Sequence, residues 1–478
     1  MSVTTDICII GGGPAGSVLA ARLAQFGLGV CLVERVSFPR RHWGESLTPG
    51  VLPLLKSIGA GPALERARYP RGRRVHRSWG AEQGWRDPDG QGLLVDRGHF
   101  DGLLLEHARA CGVRILQPAL LEGWGRGAAG WRLTVRSERR RVEFEVRMLA
   151  DASGRAGALG RRRHQTGPTT LALHGYWTGR GLPEHPRIEA GADAWFWGVP
   201  LPDGAYNTLV FIDPRDLRAM PGTLADKFRA LIATSSLLPR GGGVDLHGPV
   251  HATDATPYLA ADCVTRDSIR VGDAGLALDP LSSSGVQRAI QSALLGAVVV
   301  NTLLERPQAA GMAQQFYRDH LAEASGRHRI WARGHYAQVA DTAATRFWRE
   351  RAETPLASAI TPPEVAPPIA SPIAGSTPLD FAPGLDIVDL PCVVDRFIEP
   401  RPAVRHPRLT SPVAFLGEVE LAPLLRCVRR GMTPPDLVRA WMPRVPPQQG
   451  SAIAEWLVSR GLLVPQPMGA VAIGWGRA

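Results

Sequence analysis

Hydrophobic positions in the first 35 residues fall into two dense runs separated by a turn and a small-residue helix. The run "DICII" (6–10) is short, continuous and apolar, as a strand buried on both faces should be, and "GVCLV" (29–33) repeats the pattern. Between them a glycine-rich turn leads into alanine and leucine at helical spacing, so a strand–helix–strand unit is predicted. Further on, 95–113 ("VDRGHFDGLLLEHARACGV") predicts a turn into a helix, and 148–155 ("MLADASGR") a strand ending in small residues. The stretch 268–297 ("SIRVGDAGLALDPLSSSGVQRAIQSALLGA") predicts a strand, a loop and a long helix. Between 166 and 262 the period changes to two, in runs such as "LALHGYWT" and "YNTLVFID", which predicts an inserted sheet. One of its strands carries "AWFWGVPL" (194–201), where Trp195 and Trp197 point to one face.

The period is lost over 351–385, where proline and small residues dominate and an extended linker is expected. Helical spacing returns at 421–428 and 451–463, with "GMTPP" as turn and helix cap between and short strands flanking, a helix-turn-helix with a wing. The predicted organisation is a nucleotide-binding domain in two parts (1–165 and 263–350), an inserted sheet domain (166–262), the linker (351–385) and a small α+β domain of winged-helix type (386–478).

Composition adds exclusions. At 478 residues, 44% hydrophobic and 21% charged, the chain is an ordinary globular one with room for two or three cores. No apolar run reaches membrane-spanning length, and the first strand begins too near Met1 for a signal peptide, so a cytoplasmic protein is expected. The six cysteines are scattered without metal-ligand spacing; reduced thiols and no metal are expected. The formal charge is +11, almost wholly arginine, with Lys56 and Lys227 the two lysines. This favours an acidic partner. No basic tract interleaves with aromatics, which speaks against nucleic acid.

The glycine turn carries the first chemistry. Gly11, Gly13 and Gly16 stand in GxGxxG spacing: a tight turn, a close approach for a pyrophosphate and a close helix–strand contact. The helix start at Pro14 and Ala15 offers free N–H groups to phosphate, and Glu34, ending the second strand beside Arg35, can accept from ribose hydroxyls. Asp273 at a strand end suits a ribityl hydroxyl, and the N–H groups around Ser284, Gly285 and Val286 can cap an electron-rich flavin edge.

Together these motifs resemble the FAD-binding fold shared by aromatic hydroxylases, geranylgeranyl reductases and flavin-dependent halogenases. The resemblance implies an α/β, Rossmann-like FAD domain with an inserted substrate sheet, and FAD contacts from Arg41 and Arg97. No second GxGxxG unit exists, so electrons would come from transiently bound NAD(P)H or a partner flavin reductase, with O2 as co-substrate. "WFWGVP" is similar to the WxWxIP signature of the halogenases, with Val199 for isoleucine, and "GESL" and "DPLSSSGV" resemble the same branch. That places Trp195 and Trp197 between flavin and substrate.

Halogenases of this kind carry hypohalous acid on a lysine in the segment after GES. Here that segment, "ARYPRGRRVHRSWG" (67–80), has none, and arginine is a poor substitute because it stays protonated. Oxygen transfer straight from a flavin hydroperoxide is then expected, with His42, Glu45 or His76 as acid–base groups. The C-terminal pattern resembles peptide-recognition domains that accompany modifiers of ribosomally made peptides. As a whole the chain resembles the flavoprotein monooxygenases of tryptophylquinone biogenesis, which serve quinohemoprotein amine dehydrogenase maturation. The resemblance implies hydroxylation of a tryptophan side chain in an acidic peptide or protein, with Arg40, Arg41, Arg71, Arg73 and Arg74 as docking charges. Other readings stay open: a hydroxylase or halogenase of a small or carrier-bound aromatic, a flavin-linked reductase of isoprenoid double bonds, or a flavin-bearing DNA-binding regulator.

Overall fold

The computed structural model describes residues 5–466 except 41–44, 73, 88–91, 129, 139, 242, 344 and 356–375. The chain divides into two compact units, Met1–Ile360 and Thr361–Ala478.

In the first unit, strands Thr5–Ile10 and Val30–Val33 pair in parallel, as their apolar runs predict, and Ile7, Cys8 and Ile9 are fully buried. Arg114–Leu116 extends this sheet on one side. On the other lie Arg140–Asp151, then Trp131–Ser137 and Ala119–Arg126, while Ser268–Arg270 pairs in parallel with the end of Arg140–Asp151. Helix Pro14–Gln25 packs so close to the first turn that a Cβ on Gly16 would lie 1.8 Å from the Gly11 carbonyl oxygen. Gly11 itself has φ +109°, a conformation that favours glycine.

A second seven-stranded sheet runs Val244–Asp254, Leu171–Gly179, Tyr206–Ile212, Ala194–Pro200, Arg187–Ala190, Val75–Trp79 and Glu82–Arg86. It is not confined to 166–262: Arg187–Ala190 pairs in parallel with Val75–Trp79, and that non-local contact recruits a hairpin from the first domain segment. One face packs Phe196, Val210 and Trp177 under Phe228 and Ile232 of helix Leu224–Ala233. The other carries Trp195, Trp197, Leu209 and Phe211, partly covered by helices Ala310–Ala340 and Arg346–Ala352.

The second unit has a hairpin, Asp386–Val394 with Phe397–Arg405, and helices Leu421–Leu425, Pro434–Trp441 and Pro447–Ser459 around Leu437, Trp441 and Leu457. The middle helix starts at the turn predicted from "GMTPP", where Thr433 and Asp436 form a capping box. The expected linker 351–385 is shorter than its composition suggests at its C-terminal end. Leu379 is fully buried, and Leu379–Phe381 pairs with Leu463–Pro465, so the chain has joined the second unit by residue 379. No helix among the described residues is long and apolar enough to cross a membrane.

Candidate active site

The first cluster surrounds the GxGxxG turn. No side chain caps helix Pro14–Gln25, and Gly13 is extended, with only an Arg40 guanidinium nitrogen near its would-be Cβ, at 3.5 Å. The free N–H groups, the helix dipole and a guanidinium thus face one open spot, the donor set a pyrophosphate needs. Arg40 was expected as a docking charge; the structure turns it inward instead, 3.5 Å from the Asp101 carboxylate. Glu34 is buried and accepts from Gly12 N–H (2.7 Å) and Val36 N–H (2.9 Å), which fixes the carboxylate and leaves lone pairs for a hydroxyl. Arg35 is exposed, and Arg41 and His42 lie outside the described residues.

Arg97 opens helix Arg97–Ala110, and its buried guanidinium forks onto Asp101 one turn later, at 3.0 and 3.1 Å. Sequence reasoning missed Asp101, although the i,i+4 spacing was readable. Asp273 lies deep in the fold, yet 41% of its side-chain surface faces open space, as the wall of a cleft should. Burial pushes its carboxyl up, against the pull of Arg155, Arg97 and Arg163. Arg155 approaches to 3.7 Å and also holds the Thr256 carbonyl. Helix Gly285–Glu305 begins without a side-chain cap: the Ser284 hydroxyl pairs with Ser282, and a Cβ on Gly285 would meet nothing within 4 Å. Its first N–H groups, with Val286 behind them, therefore face space too. Gly13, Asp273 and Gly285 mark out a cradle of the kind FAD requires, with donors for phosphate, an acceptor for ribityl and a helix dipole for the ring edge.

The second cluster lies on the sheet face that bears the tryptophans. Cross-strand register aligns His251, His174, Leu209, Trp197, Ile188 and Arg77 in one row, and His247, Tyr176, Asn207 and Val199 in the next on that side. Glu45, just before strand Ser46–Leu47, reaches this second row: Asn207 Nδ2 donates to its Oε1 at 3.0 Å and the Tyr176 hydroxyl at 3.4 Å. Glu45 is 4% exposed and Asn207 is fully buried. His174 is buried and stacks on the exposed His251, ring centroids 5.1 Å apart. The same segment touches the other cluster, for Thr48 donates to Gln287 in the first turn of the long helix at 2.5 Å. His76 instead packs edge-on against Trp85 on the outer hairpin.

The two tryptophans differ in place. Trp195 is 2% exposed and stacks 3.7 Å from Phe211, edge-on to Trp79, so it is a core residue rather than a wall of the cleft. The covering helices decide this, for the turn of strand between them leaves Trp197 half-buried. Tyr176 and Asn207 escaped sequence reasoning because only strand register brings them to Glu45, and the same register sets His174 on their face. Lys56 is exposed at the end of helix Val51–Ser57, and Lys227 donates to the Leu217 carbonyl behind the sheet at 3.0 Å; neither is on the tryptophan face.

Comparison with known proteins follows the same division. Residues 4–167 match the FAD binding domain family, and residues 90–362 match the tryptophan halogenase family. The chain belongs to the tryptophan halogenase family. This is a family of flavin-dependent oxidoreductases, and the match to the FAD binding domain family supports FAD as the cofactor. Over 342 residues the chain is 31% identical to a tryptophan 2-halogenase of Chondromyces crocatus, covering 66% of this chain and 64% of that protein's length. It is 28% identical over 341 residues to a 1H-pyrrole-2-carbonyl-[peptidyl-carrier protein] chlorinase of Pseudomonas fluorescens, covering 60% of this chain and 74% of that one. Among solved structures, the peptidyl tryptophan dihydroxylase QhpG, essential for tryptophylquinone cofactor biogenesis, aligns with TM-score 0.73 and 29% identity. That alignment covers 96% of this chain and 100% of the dihydroxylase.

Proposed function

We propose that this protein hydroxylates a tryptophan side chain within a peptide or protein substrate, using FAD, O2 and electrons from NAD(P)H or a partner flavin reductase. The observation that carries this reading is the likeness to a peptidyl tryptophan dihydroxylase over nearly the whole of both chains. The lack of a lysine on the tryptophan face supports oxygen transfer over halogen transfer, because no amine is available there to hold a hypohalous acid.

FAD, when bound, takes up the electrons and supplies the activated oxygen. The chain's own residues then have three tasks. The N–H groups behind Gly13, with Arg40, hold the pyrophosphate, and Asp273 orients the ribityl chain. Trp197, Leu209 and Ile188 form an apolar wall that stacks the substrate indole and excludes water, buttressed by Trp195 and Phe211. Hydroxylating an aromatic carbon releases that carbon's proton, and Glu45, aimed by Asn207 and Tyr176, is the acceptor. The His174–His251 stack lies on the same face and leads from it to the surface.

The second unit has the role of peptide recognition in this reading. Among the described residues no strand pairs with the outer edge of Asp386–Val394, which leaves a row of backbone groups for an added strand. The basic charge of +11 suits an acidic substrate. The second reading, modification of a carrier-bound aromatic, is favoured by the carrier-protein chlorinase among the relatives.

The experiment is mass spectrometry of candidate substrates incubated with the protein, FAD, NADH, a flavin reductase, chloride and 18O2. Labelled oxygen on a tryptophan-containing peptide supports the proposal. Chlorine on any substrate, or oxygen on carrier-bound aromatics alone, overturns it.

A further inference from the structure

We propose that a second pocket, between helices Ala310–Ala340 and Arg346–Ala352, binds a carboxylate. The pocket is bounded by both helices, the 166–168 turn, Pro257 and the start of the 278–284 loop. Its charge is out of balance. Arg351 is 1% exposed, yet every group it holds is neutral: the carbonyls of Phe347 (3.1 Å) and Thr169 (3.3 Å) and the Thr170 hydroxyl (2.8 Å). Its Cζ lies 3.6 Å from the Phe347 ring centre, and its Nε has no partner. Arg346, five residues earlier on the same helix, shows the ordinary arrangement, shared among Asp213, Asp216 and Glu350.

Two more guanidiniums line the pocket without a carboxylate within 4 Å among the described residues. Arg333 donates to the Ala352 carbonyl at 2.7 Å, Arg329 to the Pro355 carbonyl, and the Arg329 Nε is buried and unpartnered. The one acid in the wall, Asp279, is already engaged by the Tyr336 hydroxyl (2.9 and 3.1 Å) and the Leu281 N–H (3.0 Å). His328 is kept towards its neutral form by burial and sets Nε2 against the Asp279 carbonyl, so it neither adds nor removes charge. A buried guanidinium with no carboxylate in contact is costly, and an anion in the pocket lowers that cost.

The walls select among anions. Guanidinium forks match the planar geometry of a carboxylate. The apolar surfaces of Pro168, Pro257, Leu278 and Ala332 suit an alkyl stem, which a halide lacks. The inference stands on this charge pattern and does not depend on the hydroxylation proposed above. The pocket nonetheless backs onto the candidate active site, because Asp279 begins the loop that ends at Ser284, and Tyr336 shares an apolar layer with Trp195. Its carboxylate can therefore come from an acidic side chain of the substrate or from a free organic acid.

The test is thermal melting of the FAD-loaded protein against sodium acetate and sodium butyrate, with ionic strength held constant by sodium chloride. A saturable rise in Tm is expected, steeper for butyrate, with a midpoint at least tenfold higher in the doubly substituted Arg329→Gln, Arg333→Gln protein. The surface control Arg86→Gln should match the wild type. No saturable rise, or an equal midpoint in the double variant, overturns the proposal. Should the double variant fail to fold, Arg329→Lys with Arg333→Lys keeps the charge and loses the fork, and an unshifted midpoint there refutes it. Two peptides, one with glutamate beside tryptophan and one with glutamine, then separate the sources. Displacement of butyrate by the glutamate peptide alone assigns the site to the substrate; displacement by neither assigns it to a free acid. Carboxylate binding without any oxygenated product would refute the proposed function and leave this site standing.

Discussion

Gly13→Glu separates cofactor binding from folding. Gly13 has φ −71°, so any residue can adopt its backbone, and its Cβ would meet nothing closer than Arg40 at 3.5 Å. The new carboxylate would sit at an uncapped helix N-terminus, an interaction worth about 0.3–1 kcal/mol in favour of the protein without cofactor. The same carboxylate occupies the place of a pyrophosphate. At roughly 5 Å and an effective dielectric near 20, each phosphate charge opposes it by about 3 kcal/mol. Two such charges, less what Arg40 screens, weaken FAD binding by about two to four orders of magnitude. Fluorescence titration with FAD and absorbance at gel filtration measure the loss, and circular dichroism melting checks the fold. Gly16→Ala is the contrasting variant: its methyl would stand 1.8 Å from the Gly11 carbonyl, so it should lower stability itself by about 1–3 kcal/mol. Retention of FAD by Gly13→Glu within tenfold of wild type, at unchanged Tm, would refute the assignment of this turn to the pyrophosphate.

Three further outcomes are expected. Trp195→Ala should cost about 3–5 kcal/mol by chemical denaturation, because the ring is stacked and buried, whereas Trp197→Ala should cost clearly less, keep FAD and lose product. Equal costs would put both rings in the core. Glu45→Gln keeps an acceptor for Asn207 but not a base, so turnover should fall about 10²–10⁴-fold with FAD affinity unchanged, and wild-type turnover would remove Glu45 from the chemistry. Burial raises the Asp213 carboxyl, but the Arg215 side chain and N–H, with Arg346, outweigh it and hold the group down at about 2. A depressed carboxylate stabilises the fold above its unfolded pKa, so this contribution, about 2 kcal/mol, should be present at neutral pH and vanish between about pH 4 and pH 2. Asp213→Asn should flatten that limb of the stability–pH curve; an unchanged limb would show that Asp213 is not its source.

The sequence by itself was sufficient wherever the signal is local. The GxGxxG turn, the strands on either side and the cap at Thr433 each depend on a few consecutive residues, and the backbone constraints of glycine, proline and capping side chains act over that distance. The same holds for the alternation that set Trp195 and Trp197 on one face. What covers that face is not local. Helices from 310–352 close over Trp195 and leave Trp197 half-buried, and register between two neighbouring strands brings Tyr176 and Asn207 to Glu45. Arg40 reads as surface charge in the sequence and faces the dinucleotide turn only because helix Arg97–Ala110 presents Asp101 to it. Arg351 gives no sign in the sequence that it lacks a counter-ion. A side chain's neighbours across the core are fixed by packing between segments hundreds of residues apart, and those neighbours decide whether a charge or an aromatic ring supports the fold or faces a ligand.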